Sequence, residues 1–108
     1  MTIHRHAVVL ATLLLFCATS VAAPDATRQA QLEHLLAQDC GACHGLHMTG
    51  GLGPELTRAA LAGKSRDSLI ATVTFGRPGT AMPPWAPLLA PDDIRWLVDL
   101  LLKGYPAS

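Results

Sequence analysis

The pentapeptide Cys40-Gly41-Ala42-Cys43-His44 constrains this 108-residue chain more than any other feature. Two cysteines three positions apart, with a histidine directly behind them, have the spacing of covalent haem c attachment. Their thiols can add to the two vinyl groups of one haem, while the adjacent imidazole reaches the iron from the same side. The motif therefore predicts a single covalently bound haem c, with Cys40 and Cys43 as anchors and His44 as an iron ligand.

Three other uses of the same residues compete with this interpretation. A thioredoxin-like redox pair requires a βαβ context, and the chain shows no strand pattern. A zinc site that recruits His47 beside Cys40, Cys43 and His44 lacks the two separated ligand pairs of ordinary structural zinc sites. A disulfide between the two cysteines closes a loop too short to stabilise the chain much. Haem attachment is the hypothesis that the spacing favours.

The first 22 residues have the layout of a secretory signal peptide. Arg5 lies in a short basic region, and the residues from position 7 to position 23 are uncharged. Small residues precede two possible cleavage sites, after Ala22 and after Ala23, and Pro24 directly behind the second site favours the first. The alternative is an uncleaved anchor, because the uncharged stretch has the minimum length for a membrane span.

Export determines where the chain is expected to work. The sequence predicts residues 1–22 as the signal peptide and residues 23–108 as one monohaem domain in the periplasm, since haem c is attached outside the bacterial cytoplasm. The exported part carries seven basic and eight acidic side chains without a long charge run. This balance argues against nucleic acid as a partner, and membrane association is expected only if the signal segment is retained.

The pattern of apolar residues and capping signals predicts an all-α domain of three or four helices around the haem. The expected helical segments are residues 27–38, 57–62, 65–75 and 91–103. A high density of glycine predicts an irregular loop at 41–56, and four prolines predict a second one at 77–87.

A second axial ligand is needed if the haem iron is to shuttle electrons, and the exported part offers His34, His47, Met48 and Met82. His47 and Met48 follow His44 too closely to cross easily to the opposite face of the haem. His34 lies on the helix that leads into the attachment site. Met82 remains, and the two prolines behind it hold it in a stiff loop that suits a ligand. A methionine that only fills the core is the alternative.

Taken in order along the chain, CGACH, GLGPEL, GTAMPPW and the terminal helix resemble the class I cytochromes c. The resemblance covers nearly all of the exported sequence and implies the cytochrome c fold. It also implies that Pro54, behind the haem motif, uses its carbonyl to orient the imidazole of His44. Trp85 resembles the family tryptophan that hydrogen-bonds a haem propionate, with core packing as the alternative. Arg77 either neutralises a propionate or is a solvated loop cation.

The longer segments CGACHGLHMTGGLGPELT, LAGK and GRPGTAMPPW are similar to the c55X-type cytochromes found with cytochrome cd1 nitrite reductase in denitrifying bacteria. The resemblance implies a small periplasmic monohaem protein that donates electrons to the reductase or serves the maturation of its haem d1. Ala90 departs from the pattern, because family relatives usually offer a serine or threonine cap for the last helix. This departure puts the start of that helix in doubt.

Ligation by both His44 and Met82 predicts an electron carrier rather than an enzyme, because no coordination position is left for a substrate. A thioether ligand favours the reduced iron and raises the reduction potential. We expect a monomer that docks transiently on cytochrome cd1 nitrite reductase through a small surface. Two hypotheses stay open beside it: an accessory factor in haem d1 biogenesis, and a peroxidase-like or ligand-binding haem protein in which Met82 is displaced.

Overall fold

Helices make up the regular structure of residues 23–107, the part of the chain that the computed structural model describes. The segments are α1 Ala26–Leu35, a π-helical turn Leu36–Cys40, α2 Gly41–His44, α3 Arg58–Leu61, α4 Arg66–Phe75 and α5 Pro91–Lys103. The first three run into one another without a break. No strand lies within the described residues, which confirms the predicted all-α class. The predicted signal peptide lies outside them.

Side-chain caps start three of the helices. The carboxylate of Asp25 accepts a hydrogen bond from the backbone N–H of Arg28 at 2.8 Å, and the hydroxyl of Ser65 accepts one from Ser68 at 3.0 Å. The hydroxyl of Thr57 caps α3 in the same way. These contacts satisfy N–H groups that have no partner inside the helix. The polar residue ahead of each apolar stretch therefore determines where the helix begins.

Helix α5 begins at Pro91, as predicted, although Ala90 offers no capping side chain. A carboxylate oxygen of Asp93 accepts the backbone N–H of Ala90 at 3.0 Å instead. The same carboxylate accepts two hydrogen bonds from the guanidinium of Arg28 on α1, at 2.8 and 3.2 Å. Asp93 is only 6% exposed. One acidic side chain thus starts α5 and also ties it to α1.

The predicted irregular loop at 41–56 is wrong at its first four residues. The helix that was expected to end near residue 38 continues through the π-helical turn and α2 as far as His44. Extending a formed helix costs far less than starting one, so Gly41 is accommodated inside it with φ −62° and ψ −26°. The chain leaves the helix at Gly45, whose φ of +92° suits glycine.

The core is a small apolar cluster in which leucines of α1 and the π-helical turn meet the apolar face of α5. Its buried members are Leu32, Leu36, Met48, Leu61, Leu89, Ile94, Leu97 and Leu101. Full burial of one such side chain stabilises the folded state by roughly 1.5–3 kcal/mol relative to leaving it exposed. A domain of this length with so few large core residues generally needs a disulfide, a metal or a cofactor as well.

None of the helices within residues 23–107 is long and apolar enough to cross a membrane.

Candidate functional site

The two cysteines and the histidine of the predicted haem motif lie within a little more than one helical turn. Cys40 ends the π-helical turn, and Cys43 and His44 belong to α2. Both cysteines are free and partly buried. Burial, aided by the neighbouring charge of Asp39, raises the pKa of the Cys40 thiol to about 11. Before haem is attached, this sulfur is therefore a thiol rather than a thiolate at neutral pH, and it forms no disulfide with Cys43.

The alternatives weighed for this motif lack their structural requirements in the described part of the chain. No group of three or more His, Cys, Asp or Glu side chains in residues 23–107 is arranged to hold a metal ion. His47, the fourth ligand of the zinc hypothesis, is exposed. A thioredoxin-like pair requires strands, and residues 23–107 contain none. Two free thiols beside an imidazole, the requirement of haem attachment, are present.

The imidazole of His44 is oriented by the backbone of the following loop. Its Nδ1 atom lies 2.7 Å from the carbonyl oxygen of Pro54. A carbonyl only accepts hydrogen bonds, so Nδ1 carries the proton and Nε2 keeps its lone pair for a metal. Gly53 lies against the ring, and a Cβ there would come within 2.7 Å of Cε1. This contact of Gly53 was not predicted from the sequence, although the place of Gly53 directly before Pro54 is a signal for it.

The glycine-rich segment 45–53 folds back over the end of α2. The N–H of Gly53 donates to the carbonyl of Cys43 at 2.8 Å and so satisfies one of the last carbonyls of the helix. The approach is so close that a Cβ at Gly51 would lie 2.7 Å from that carbonyl oxygen. Glycine is therefore required here by the contact between the loop and the helix that carries the thiols.

The candidates for a second axial ligand lie in different surroundings. Met48 is fully buried in the core cluster, in a left-handed conformation with φ +58°. His34 and His47 are exposed. Met82 is partly buried on the loop that follows α4. Met48 thus fills the core, and Met82 is the methionine that the loop presents.

Hydrogen bonds within the loop hold the backbone of Met82. Its N–H donates to the hydroxyl of Thr80 at 3.3 Å, and its carbonyl accepts the N–H of Arg77 at 3.2 Å. The Thr80 hydroxyl donates in turn to the carbonyl of Arg77 at 2.7 Å. The two prolines behind Met82 have fixed φ angles. Met82 is consequently held in a tight turn without being part of a helix.

Trp85 and Arg77, the candidates for contact with haem propionates, differ in burial. Trp85 is partly buried and packs against the core cluster. Its backbone N–H donates to the carbonyl of Val73 on α4 at 3.1 Å. Arg77 is exposed. The contacts of Trp85 are therefore those of a core residue at the base of the Met82 loop, and Arg77 lies in solvent on the same loop.

The groups present fit a covalently attached haem. Two free thiols lie three residues apart on one helical segment. The Nδ1 atom of the neighbouring imidazole is hydrogen-bonded to a carbonyl, which leaves Nε2 as the atom that can bind iron. A thioether is available on the loop behind α4. Two cysteines that can form thioethers, with a histidine and a methionine as possible iron ligands, are a set of groups that holds haem in cytochromes c.

Comparison with known proteins shows close similarity to c-type cytochromes. The family described as "Cytochrome C oxidase, cbb3-type, subunit III" matches residues 27–101. Cytochrome c55X of Stutzerimonas stutzeri is 68% identical over 98% of this chain and 98% of its own length. The similarity to this relative therefore extends over essentially the whole sequence.

Two solved structures are similar to the chain in fold. The c-type cytochrome NirC is 67% identical, with a TM-score of 0.75, over 79% of this chain and 100% of that one. The dihydro-heme d1 dehydrogenase NirN in complex with DHE is 33% identical, with a TM-score of 0.64, over 69% of this chain and 16% of that one. The second similarity thus concerns a small part of a larger protein.

Proposed function

Because the chain belongs to the cytochrome c55X family of class I c-type cytochromes, we propose that it is a one-electron carrier of the periplasm. It has the cytochrome c fold and binds one haem c covalently. The match to a cytochrome c55X over 98% of the chain is the observation that carries the proposal.

In this proposal Cys40 and Cys43 hold the haem and His44 is an axial ligand. Each thiol would add its sulfur and its hydrogen across one vinyl group of the haem, an addition that needs no oxidant or reductant. The haem supplies an iron that alternates between the ferrous and ferric states. The carbonyl of Pro54 keeps the proton on Nδ1 of His44 and so directs Nε2 to the metal.

Met82 is proposed as the second axial ligand. The backbone N–H and the carbonyl of Met82 are both hydrogen-bonded within the loop. This limits how far the residue moves when the iron changes its oxidation state. A thioether ligand stabilises the reduced state relative to a second imidazole. If His44 and Met82 both bound the iron, no coordination position would be left for a substrate, and the protein would carry electrons without activating one.

Two further residues are proposed near the haem propionates. Trp85 lies at the base of the Met82 loop, and Arg77 lies on that loop as an exposed cation. A Trp85→Phe variant keeps the packing and removes the indole N–H, and Arg77→Gln removes the charge. A changed pH dependence of the reduction potential in either variant supports a contact with a propionate, and an unchanged one contradicts it.

Cytochrome cd1 nitrite reductase is the proposed electron acceptor, on the resemblance to cytochromes that accompany it. The test is stopped-flow oxidation of the reduced protein by purified cytochrome cd1. Rapid oxidation that is first order in the reductase supports the assignment. Oxidation no faster than with an unrelated haem protein of the same potential contradicts it.

A second candidate function is a role in haem d1 biogenesis, favoured by the similarity to part of a dihydro-heme d1 dehydrogenase. Removal of two hydrogens from a substrate releases two electrons and two protons. Two molecules of this carrier would each accept one electron, and the protons would pass to solvent. Reduction of the ferric protein by such a dehydrogenase with its substrate, together with a reductase lacking haem d1 in a deletion strain, supports this role. A reductase with full haem d1 content contradicts it.

Export and a monomeric state complete the proposal. Signal peptidase is proposed to cut after Ala22, so that the mature chain begins at Ala23. The mass of the periplasmic protein should equal residues 23–108 plus one haem, with a single sedimenting species of that mass. A mass that includes residues 1–22 would instead indicate a retained anchor.

A further inference from the structure

We propose that Gly76, the residue directly behind α4, is the positioning residue for Met82. The assignment rests on the proposed ligation of the haem iron by Met82, and it concerns how the chain brings that thioether to one place. Gly76 is buried, although the residues on both sides of it are exposed. From the sequence we predicted only that the helix ends at residue 75, directly before this glycine.

The backbone of Gly76 adopts a conformation that is essentially confined to glycine. Its φ is +65° and its ψ is −167°. In this region a side chain collides with the neighbouring peptide groups, and residues other than glycine rarely enter it. The chain turns here from the axis of α4 into the Met82 loop, so the direction of the loop depends on this one residue.

Gly76 also lies directly against the backbone of the Met82 segment. A Cβ at this position would lie 2.6 Å from the carbonyl carbon of Pro83, 2.7 Å from the carbonyl oxygen of Met82 and 2.7 Å from the nitrogen of Pro84. These are backbone atoms, which cannot rotate away as the end of a side chain can. The prolines have fixed φ angles, so the segment has to move as a unit.

The far end of the loop is tied to the same helix. The N–H of Trp85 donates to the carbonyl of Val73 at 3.1 Å, and the N–H of Ala86 donates to Thr74 at 3.2 Å. These bonds satisfy carbonyls near the end of α4. Because these bonds fix the backbone from Trp85 onward, the loop cannot shift there. A backbone displacement caused by a side chain at position 76 therefore moves Met82.

The experiment compares Gly76→Ala with Gly79→Ala. Gly79 lies on the same loop and also has a positive φ, +79°, but a Cβ there meets nothing within 4 Å. Both substitutions place alanine in a conformation that it disfavours, and only the first inserts an atom against the Met82 segment. Each ferric holoprotein is examined for the sulfur-to-iron absorption band in the far red, for its reduction potential and for carbon monoxide binding when reduced.

The proposal predicts that G76A loses the far-red band, has a lower potential and binds carbon monoxide, with haem still attached and helical circular dichroism retained. G79A should keep the band and exclude carbon monoxide. A band in G76A as strong as in the wild type overturns the role of Gly76. A wild-type protein without the band overturns the ligation by Met82 itself, and so the two failures are distinguishable.

Thr80→Val is the second probe, used if G76A does not accumulate as holoprotein. It removes the hydroxyl that accepts from Met82 and donates to Arg77, without adding bulk at the loop. A weakened far-red band in T80V at unchanged helicity supports a loop that positions Met82 through its backbone. An unchanged band shows that Met82 does not depend on the loop geometry, and it overturns the proposal.

Discussion

The Nδ1 atom of His44 lies 2.7 Å from the carbonyl oxygen of Pro54, and Gly53 packs against the same imidazole ring. The carbonyl determines which nitrogen carries the proton, and the glycine leaves the ring the space it occupies. Both contacts depend on segment 45–53, which folds back over the end of α2. The proximal side of the proposed haem site is thus built by backbone rather than by other side chains.

Gly53→Ala should destabilise the holoprotein because its Cβ would lie 2.7 Å from Cε1 and 2.8 Å from Nδ1 of His44. We expect a free energy of unfolding lower by about 1–3 kcal/mol, the usual cost of overpacking. Guanidinium unfolding followed by haem absorbance measures it. Gly63→Ala is the control, since a Cβ at Gly63 meets nothing within 4 Å. Equal stability of the two variants would contradict the close packing against His44.

Asp93→Asn should weaken the contact between α1 and α5. The carboxylate of Asp93 is nearly buried and accepts from Arg28 and from the N–H of Ala90. Arg28 is partly exposed, so solvent weakens its ion pair with Asp93. We expect the free energy of unfolding to fall by about 1 kcal/mol at pH 7. The control is Glu33→Gln, which removes the same charge from an exposed position on α1. A loss no larger in D93N than in E33Q would contradict the structural role of Asp93.

The difference in stability between the wild type and D93N should disappear in acid. Hydrogen bonds from Arg28 hold the pKa of the Asp93 carboxyl below its ordinary value, and the N–H of Ala90 acts in the same direction against the opposing effect of burial. Because the pKa is lower in the folded than in the unfolded protein, the ionised carboxylate stabilises the fold at pH values above the unfolded pKa of about 3.9. This contribution is lost as the pH falls through the pKa of the folded protein. Unfolding at pH 7 and at a series of lower pH values measures it. A difference that grows as the pH falls would contradict the sign.

Removal of the haem should leave the chain largely unfolded. The core cluster has few large side chains, and a covalently bound haem would supply the apolar bulk that they lack. A Cys40→Ala, Cys43→Ala chain prepared without haem should show little helical circular dichroism beside the wild-type holoprotein. Native-like helicity in the haem-free double variant would contradict this account of stability.

Several helix boundaries were predicted correctly from the residues next to them. Asp25, Thr57 and Ser65 precede their helices as N-caps, and each helix begins within a residue or two of the expected position. Gly104 follows the last residue of α5, as expected from the sequence. These signals act within a single turn of helix, and at these boundaries the neighbouring residues were sufficient for the prediction.

Tertiary contacts explain what the sequence did not predict. Gly41 was expected to lie in an irregular loop, but it continues a helix that had already formed. Gly53 is required because its backbone lies against the ring of His44, and Gly76 because its backbone lies against the Met82 segment. The number of glycines in a sequence does not distinguish such a close approach from an ordinary turn. Asp93 replaces the absent cap at Ala90 from within its own helix. The roles of Gly53 and Gly76 depend on which backbone segments meet in the folded chain, and Asp93 in addition contacts Arg28 of α1.

Met82 and His44 are proposed to hold the haem iron between them. This ligation is tested by the far-red sulfur-to-iron band of the ferric holoprotein in two matched variants, Met82→Leu and Met48→Leu. Leucine is close to methionine in volume, and such exchanges usually cost less than about 1.5 kcal/mol. We expect M82L to lose the band and M48L to retain it, because Met48 is buried in the core. A band that survives in M82L, or that is lost in M48L instead, would contradict it.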